Sequence, residues 1–352
     1  MKAKLIWLLA ALLLIPPTML AAEGAEGGGA PPGSWLAAVE KMTAEAEVEA
    51  KEKAAVPKGD GPPLPLHTME GVGGALAVPM AYLVNPGPEG TTIGKPAFSM
   101  TFLHLGTKNV QVFAITETLF RRIELGYAFS RFDLGNLGHV VRKATGGLYR
   151  IRRREVYLHH FNARALVLPE NSFGLPLPAV CAGIQAKLNG GIMGINDSLY
   201  HPVASPFLFR GQKSLTYIGL ERSNGIDYVI TASKMIPRIL FGRPLILTCG
   251  VRNSQASNFG YTGFGDSCHT TIEFDVTTLL TDRLAVGYEF RQRTDPYDRF
   301  PPVHKGEDNL HAIRAAYVVN DHFVIAVGWA SLGHVGNMLA NCAWGIQLKY
   351  EF

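Results

Sequence analysis

The chain has 352 residues, 47% of them apolar and 18% charged, with a net charge of +4. So small a charge over that length argues against a nucleic-acid partner. Beyond the N-terminal run no stretch of about 18 apolar residues occurs, so no transmembrane helix is expected; a closed β-barrel is the other way to cross a bilayer.

Lys2 and Lys4 precede an apolar run from Leu5 to Ile15, and small residues follow through Ala22. This pattern predicts a secretory signal peptide over residues 1–22. Residues 23–70 are expected to form a periplasmic linker and helix. The stretch 23–34 is rich in Gly and Pro, whereas "WLAAVEKMTAEAEVEAKEKAA" (residues 35–55) is rich in Ala, Glu and Lys, with Ser34 as its N-cap. Leu36, Val39, Thr43, Ala46 and Ala50 follow a 3–4 spacing. A homo-oligomer formed through residues 35–55 is one reading of that seam, and a solvated helix is the other. "VPKGDGPPLPL" then reads as a stiff linker.

Residues 71–95 are apolar and broken by Gly and Pro. They are expected either to fold into a barrel lumen as a hatch or to add one strand. Gly94-Lys95 lacks the first Gly of a phosphate loop and is followed by Pro96, so no nucleotide site is read there.

From residue 96 onward, segments of about ten residues alternate in polarity with period two, as barrel strands do. They fall at 97–105, 109–119, 122–132, 156–166, 179–189, 226–235, 244–254, 268–280, 283–293, 309–319, 322–332 and 342–352. In "RLAVGYEFRQR", Leu284, Val286, Tyr288 and Phe290 form one face, and Ala285, Gly287, Glu289 and Arg291 the other. Tight turns at Arg121, Thr281-Asp282 and Asn320-Asp321 alternate with long loops at 133–155, 190–225, 255–267, 294–308 and 333–341. That asymmetry is the one seen between periplasmic turns and outer loops. The expected fold is therefore all-β: a transmembrane antiparallel up-and-down β-barrel of about twelve strands (fourteen being the alternative) over residues 96–352, preceded by a short periplasmic α-helix.

Placing the apolar face toward lipid turns Glu124, Gln185, Lys187, Arg252, Glu273, Asp275, Glu289, Arg291, Arg293, Arg314, Gln347, Lys349 and Glu351 toward the lumen. Pairing across the turn before Arg283 sets Arg291 opposite Glu273 and Glu289 opposite Asp275. The like-charged pair needs a cation, which Arg291 or Arg314 can supply. Two readings follow: a charged constriction that selects small solutes, or a salt-bridged core that fills a narrow barrel.

A basic run, Arg142, Lys143, Arg150, Arg152, Arg153 and Arg154, falls on an outer loop. It can contact lipopolysaccharide phosphates or be a solvated loop. Cys181, Cys249, Cys268 and Cys342 have no Cys-x-x-Cys spacing; free thiols are expected, one disulfide being the alternative. No metal or other cofactor is expected.

The sequence ends "WGIQLKYEF", with Trp344, Ile346, Leu348, Tyr350 and Phe352 on one face. This resembles the terminal signal by which barrel-assembly machinery reads outer-membrane proteins of Gram-negative bacteria. "GVGGALAVPMAYLVNP", "RIELGYAFSRFD" and "AVGYEFRQRTDPYD" with this aromatic end resemble a bacterial family of outer-membrane β-barrels catalogued as a domain of unknown function. The resemblance covers about residues 70–352 and implies the outer membrane and its lipids as surroundings, with no established activity. The expected role is passive passage of small solutes. A closed structural or adhesive barrel acting through its loops is the alternative. A lipid hydrolase is less expected, because the phospholipases use a His-x-Ser pattern and the nearest approach here is His269-Thr270-Thr271.

Overall fold

The computed structural model describes residues 64–147, 149–199, 213–240, 242–299 and 303–352. The predicted signal peptide, the first linker and the helix at 35–55 lie outside these residues. No helix among the described residues is long and apolar enough to cross a membrane.

Twelve antiparallel strands close into one barrel: β1 (Ala97–His104), β2 (Asn109–Leu119), β3 (Ile123–Asp133), β4 (Glu155–Leu168), β5 (Ala179–Gly190), β6 (Asn224–Leu240), β7 (Arg243–Ala256), β8 (Phe264–Leu279), β9 (Leu284–Arg291), β10 (Leu310–Asn320), β11 (Phe323–Ser331) and β12 (Ala343–Glu351). Each pairs with its neighbours in sequence, and β12 pairs with β1 to leave no open edge. Residues 71–95 add no further strand to the closed ring. Strands β6 to β8 run longer than the alternation suggested, and β6 reaches Leu240.

Even numbers of strands put both ends of the barrel on one rim, the terminal rim. The connection between β2 and β3 there is short, and Phe120 and Arg121 adopt φ of 51° and 56°. Those left-handed values let the chain reverse in so few residues. The other rim carries the long connections, with three short helices among the described residues, α1 (Leu137–Ala144), α2 (Ile192–Ser198) and α3 (Ser214–Tyr217).

The side chains partition as the alternation requires. Phe98, Met100, Phe113, Phe161, Ile230, Ile272, Ile313, Val327 and Trp344 point outward and are exposed. Their strand neighbours Ser99, Thr101, Asn162, Thr231, Glu273, Arg314 and Gln347 point inward and are buried. An apolar outside around a polar inside suits hydrocarbon as solvent and inverts the soluble-barrel pattern. Trp344, Ile346, Leu348, Tyr350 and Phe352 all lie on the exposed face of the C-terminal segment.

Two packed bodies occupy the tube. Residues 65–84 form a plug, buried except at Tyr82 and held by small turns such as the Leu66–His67 pairing with Gly73–Gly74. Leu66 and Leu76 of the plug pack on Ala285, Ala316, Val318, Val324 and Ala326. Ala81 and Leu83 pack on Ala179 and Cys181. At the loop rim, Leu137, Val141, Ile192, Ile195, Leu215, Tyr297 and Val303 join Phe132 and Tyr261 in an apolar cap.

Candidate functional site: the plugged lumen

Side chains from β1 to β9 and from β12 converge on the plug. Glu124 and Arg164 form a two-pronged pair, Nε to Oε1 at 2.8 Å and Nη2 to Oε2 at 2.7 Å. Glu124 also accepts the backbone N–H groups of Gly73 at 2.9 Å and Val84 at 2.8 Å. Arg164 donates to the carbonyls of Met80 and Tyr82. Wall ions thus satisfy backbone groups that the turns of this apolar segment leave unpaired.

Glu289 does the same on the other side, accepting from the N–H groups of Leu76, Ala77 and Val78 at 2.7–3.0 Å. The predicted register holds: Glu273 faces Arg291 and Asp275 faces Glu289. Arg314 lies between the two like charges, 2.6 Å from Asp275 and 3.0 Å from Glu289.

Glu70 is the hub of the arrangement. This plug residue is fully buried and lies 2.6 Å from Lys187, 2.7 Å from Arg291 and 3.1 Å from Arg252. Asp227 takes a second bond from Lys187 at 2.6 Å and one from Arg252 at 3.0 Å, while Glu273 pairs with Arg252 at 2.8 Å. Three acids and three bases balance, which is the condition for keeping them ionised away from water. Toward the terminal rim, His67 bridges Ser99 and Thr116, and Gln347 clasps its backbone N–H and carbonyl. Lys349 bonds the Pro65 carbonyl and Glu351.

Every lumen residue expected from the alternation is buried. Arg293 differs in its role. It lies beyond the end of β9, pairs with Glu307 at 3.2 Å and Asn258 at 2.6 Å, and stacks over Phe259, so it ties the outer loops together. Glu70, Asp227, Arg164 and His67 escaped the sequence reading. Period two along β4 and β6 carries a signal for Arg164 and Asp227. The plug has no period that would mark Glu70.

Backbones touch where side chains are missing. A Cβ on Gly126 would lie 2.3 Å from the Gly71 carbonyl oxygen, so only glycine lets β3 approach the plug there. A cavity of about 20 Å³ remains between plug and wall beside Arg164, and one of about 40 Å³ lies under the cap. Each has room for only one to a few waters, counting roughly 10–15 Å³ for one.

Arg142 and Lys143 are exposed on the last turn of α1, and Arg150, Arg152, Arg153 and Arg154 are exposed on the same loop. Cys181 is buried and the other three cysteines are exposed, all four as free thiols. Among the described residues no cluster of His, Cys, Asp or Glu suits a metal ion. Ser267 Oγ lies 3.4 Å from His269 Nε2 near the loop rim. No third group among the described residues orients that ring, as a nucleophile–base pair would require.

A closed antiparallel tube, apolar outside and charged within, defines the class: this is the fold of an outer-membrane β-barrel. The chain belongs to the family described as "Protein of unknown function (DUF3034)", whose match spans residues 65–348 and so includes the plug. No curated protein matches the sequence. Among solved structures, LpxR from Salmonella typhimurium has a TM-score of 0.43 at 8% identity, covering 73% of this chain and 100% of that one. An outer membrane channel from Pseudomonas putida F1 has a TM-score of 0.40 at 8% identity, with coverage of 75% and 97%. Outer membrane phospholipase A from Escherichia coli has a TM-score of 0.32 at 8% identity, with coverage of 73% and 92%. At these identities the likeness is one of barrel fold alone.

Proposed function

We propose that the protein is a gated channel of the Gram-negative outer membrane for small solutes, described here with its gate closed. The gate is the plug at residues 65–84. The loop rim faces the cell exterior and the terminal rim faces the periplasm. One observation carries this reading: wall ions at Glu124, Arg164 and Glu289 bond backbone groups of the plug. Water can replace each of those bonds, so the polar wall would remain solvated after the plug departs. A lumen built only to be filled gains more from apolar packing than from charge pairs.

The test is single-channel conductance in planar bilayers, for the full chain and for a chain lacking residues 65–84. Steady conductance in the deletion and near silence in the full chain are expected. Silence in both would sink the channel reading. It would favour the second one, a closed structural barrel acting through its outer loops, which the buried apolar core of the cap supports. The pair Ser267 and His269 leaves lipid hydrolysis as a third reading; release of labelled fatty acid from phospholipid by the refolded protein decides that one.

A further inference from the structure

Lys108, in the turn between β1 and β2, is 2% exposed and donates one hydrogen bond, to Asn337 Oδ1 at 2.9 Å. No carboxylate among the described residues neutralises it. Every other buried Lys or Arg described has an acid oxygen within 3.2 Å: Arg164, Lys187, Arg252, Arg291, Arg293, Arg314 and Lys349. A buried ammonium without a counter-charge is costly. Burial alone pushes Lys108 down to about 8.

The same turn borders the cavity of about 40 Å³ under the cap, whose walls include Phe132, Leu137, Ile195 and Val303. His304 also lines it, 2% exposed, with Nε2 lacking any hydrogen-bond partner and the nearest acid, Asp295, 3.8 Å away. A buried ammonium with no counter-charge and a buried ring nitrogen with no hydrogen-bond partner therefore meet an apolar wall.

We propose that this cavity binds a short-chain monocarboxylate, with its carboxylate accepting from Lys108 and His304 and its alkyl tail against Phe132 and Leu137. A single ammonium matches a single negative charge. A dianion would bring a second charge with no partner, and an inorganic anion would leave the apolar walls unused. The size admits only a few heavy atoms, which sets the short chain. The site lies in the cap, and no plug residue lines it.

The experiment is calorimetric titration of the full-length refolded barrel in detergent with butyrate, butyramide and sulfate. Butyrate should bind, with butyramide and sulfate weaker by about tenfold or more, since each leaves a buried group unmatched. Lys108→Met should weaken butyrate by about tenfold or more while keeping the heat-modifiable gel mobility of a folded barrel. Should that variant not fold, His304→Phe serves, with a loss of several-fold expected. Butyrate that does not bind, that binds no better than butyramide, or that is indifferent to the substitution overturns the proposal. Butyrate binding is read on the full chain with its plug in place, so failure here and failure of the channel reading are told apart.

Discussion

The plug and the cap close the two halves of one tube by opposite chemistry. The plug is apolar in sequence, yet its strongest partners are ions: Glu70 meets three cations, and Glu124 and Glu289 hold its backbone. The cap comes from polar-looking loops, yet it is held by buried Leu, Ile and Tyr side chains around Ile195 and Tyr261. Contacts between ions and backbone can be exchanged for water at modest net cost, because both sides remain hydrogen-bonded. A buried apolar cluster has no such exchange available. On the proposed gating, the plug is the body that moves and the cap the body that stays.

The severest test of that contrast is Glu70→Gln. It leaves Lys187, Arg252 and Arg291 facing Asp227 and Glu273 alone, and removing one partner from a buried network costs about 3–5 kcal/mol. The expected outcome is a lower urea midpoint, read by heat-modifiable mobility, together with frequent openings in the bilayer. Unchanged openings would show that the hub does not hold the gate.

Arg314→Met should come next, with a loss of about 3 kcal/mol, because Asp275 and Glu289 are left as unshielded like charges. Fluorescence-monitored unfolding in urea measures it. Glu289→Gln in the same background should recover part of the loss, and an additive further loss would contradict the bridging role.

Ile195→Ala probes the cap instead, with a cost of about 2–4 kcal/mol from the vacated volume. The expected readout is faster proteolysis of the outer loops, with the conductance of the plug-deleted barrel unaltered. A change in that conductance would mean that cap and plug act as one body.

The smallest effect is that of pH on the cap. Lys108 lies outside the membrane-spanning strands, and burial lowers it to about 8 in the folded chain, against about 10.4 when unfolded. Its folded-state value is depressed, so the charged form weakens the fold fully below pH 8. Between the two values the unfolded chain binds more protons, and stability rises with pH. Loop proteolysis should slow between pH 8 and 10, and Lys108→Met should flatten that trend.

Much of this was legible in the residues. Alternation along "RLAVGYEFRQR" placed Glu289 and Arg291 inward, and pairing across a short turn set them against Asp275 and Glu273. Period two is a local property of the pleat, and each strand shows it without reference to the others. The same rule assigned Arg293 to the lumen, where the chain has already left β9 and turned to Glu307. Alternation does not tell where a strand stops.

The sequence by itself determined the wall: its strands, its apolar exterior and the charges on its inner face, because those follow from spacing along the chain. Tertiary structure alone decided what meets those charges. Glu70 bonds residues 117 and 221 positions away, at Lys187 and Arg291, and the plug that carries it repeats with no period. Such contacts depend on closing the tube around a segment, which no local pattern encodes.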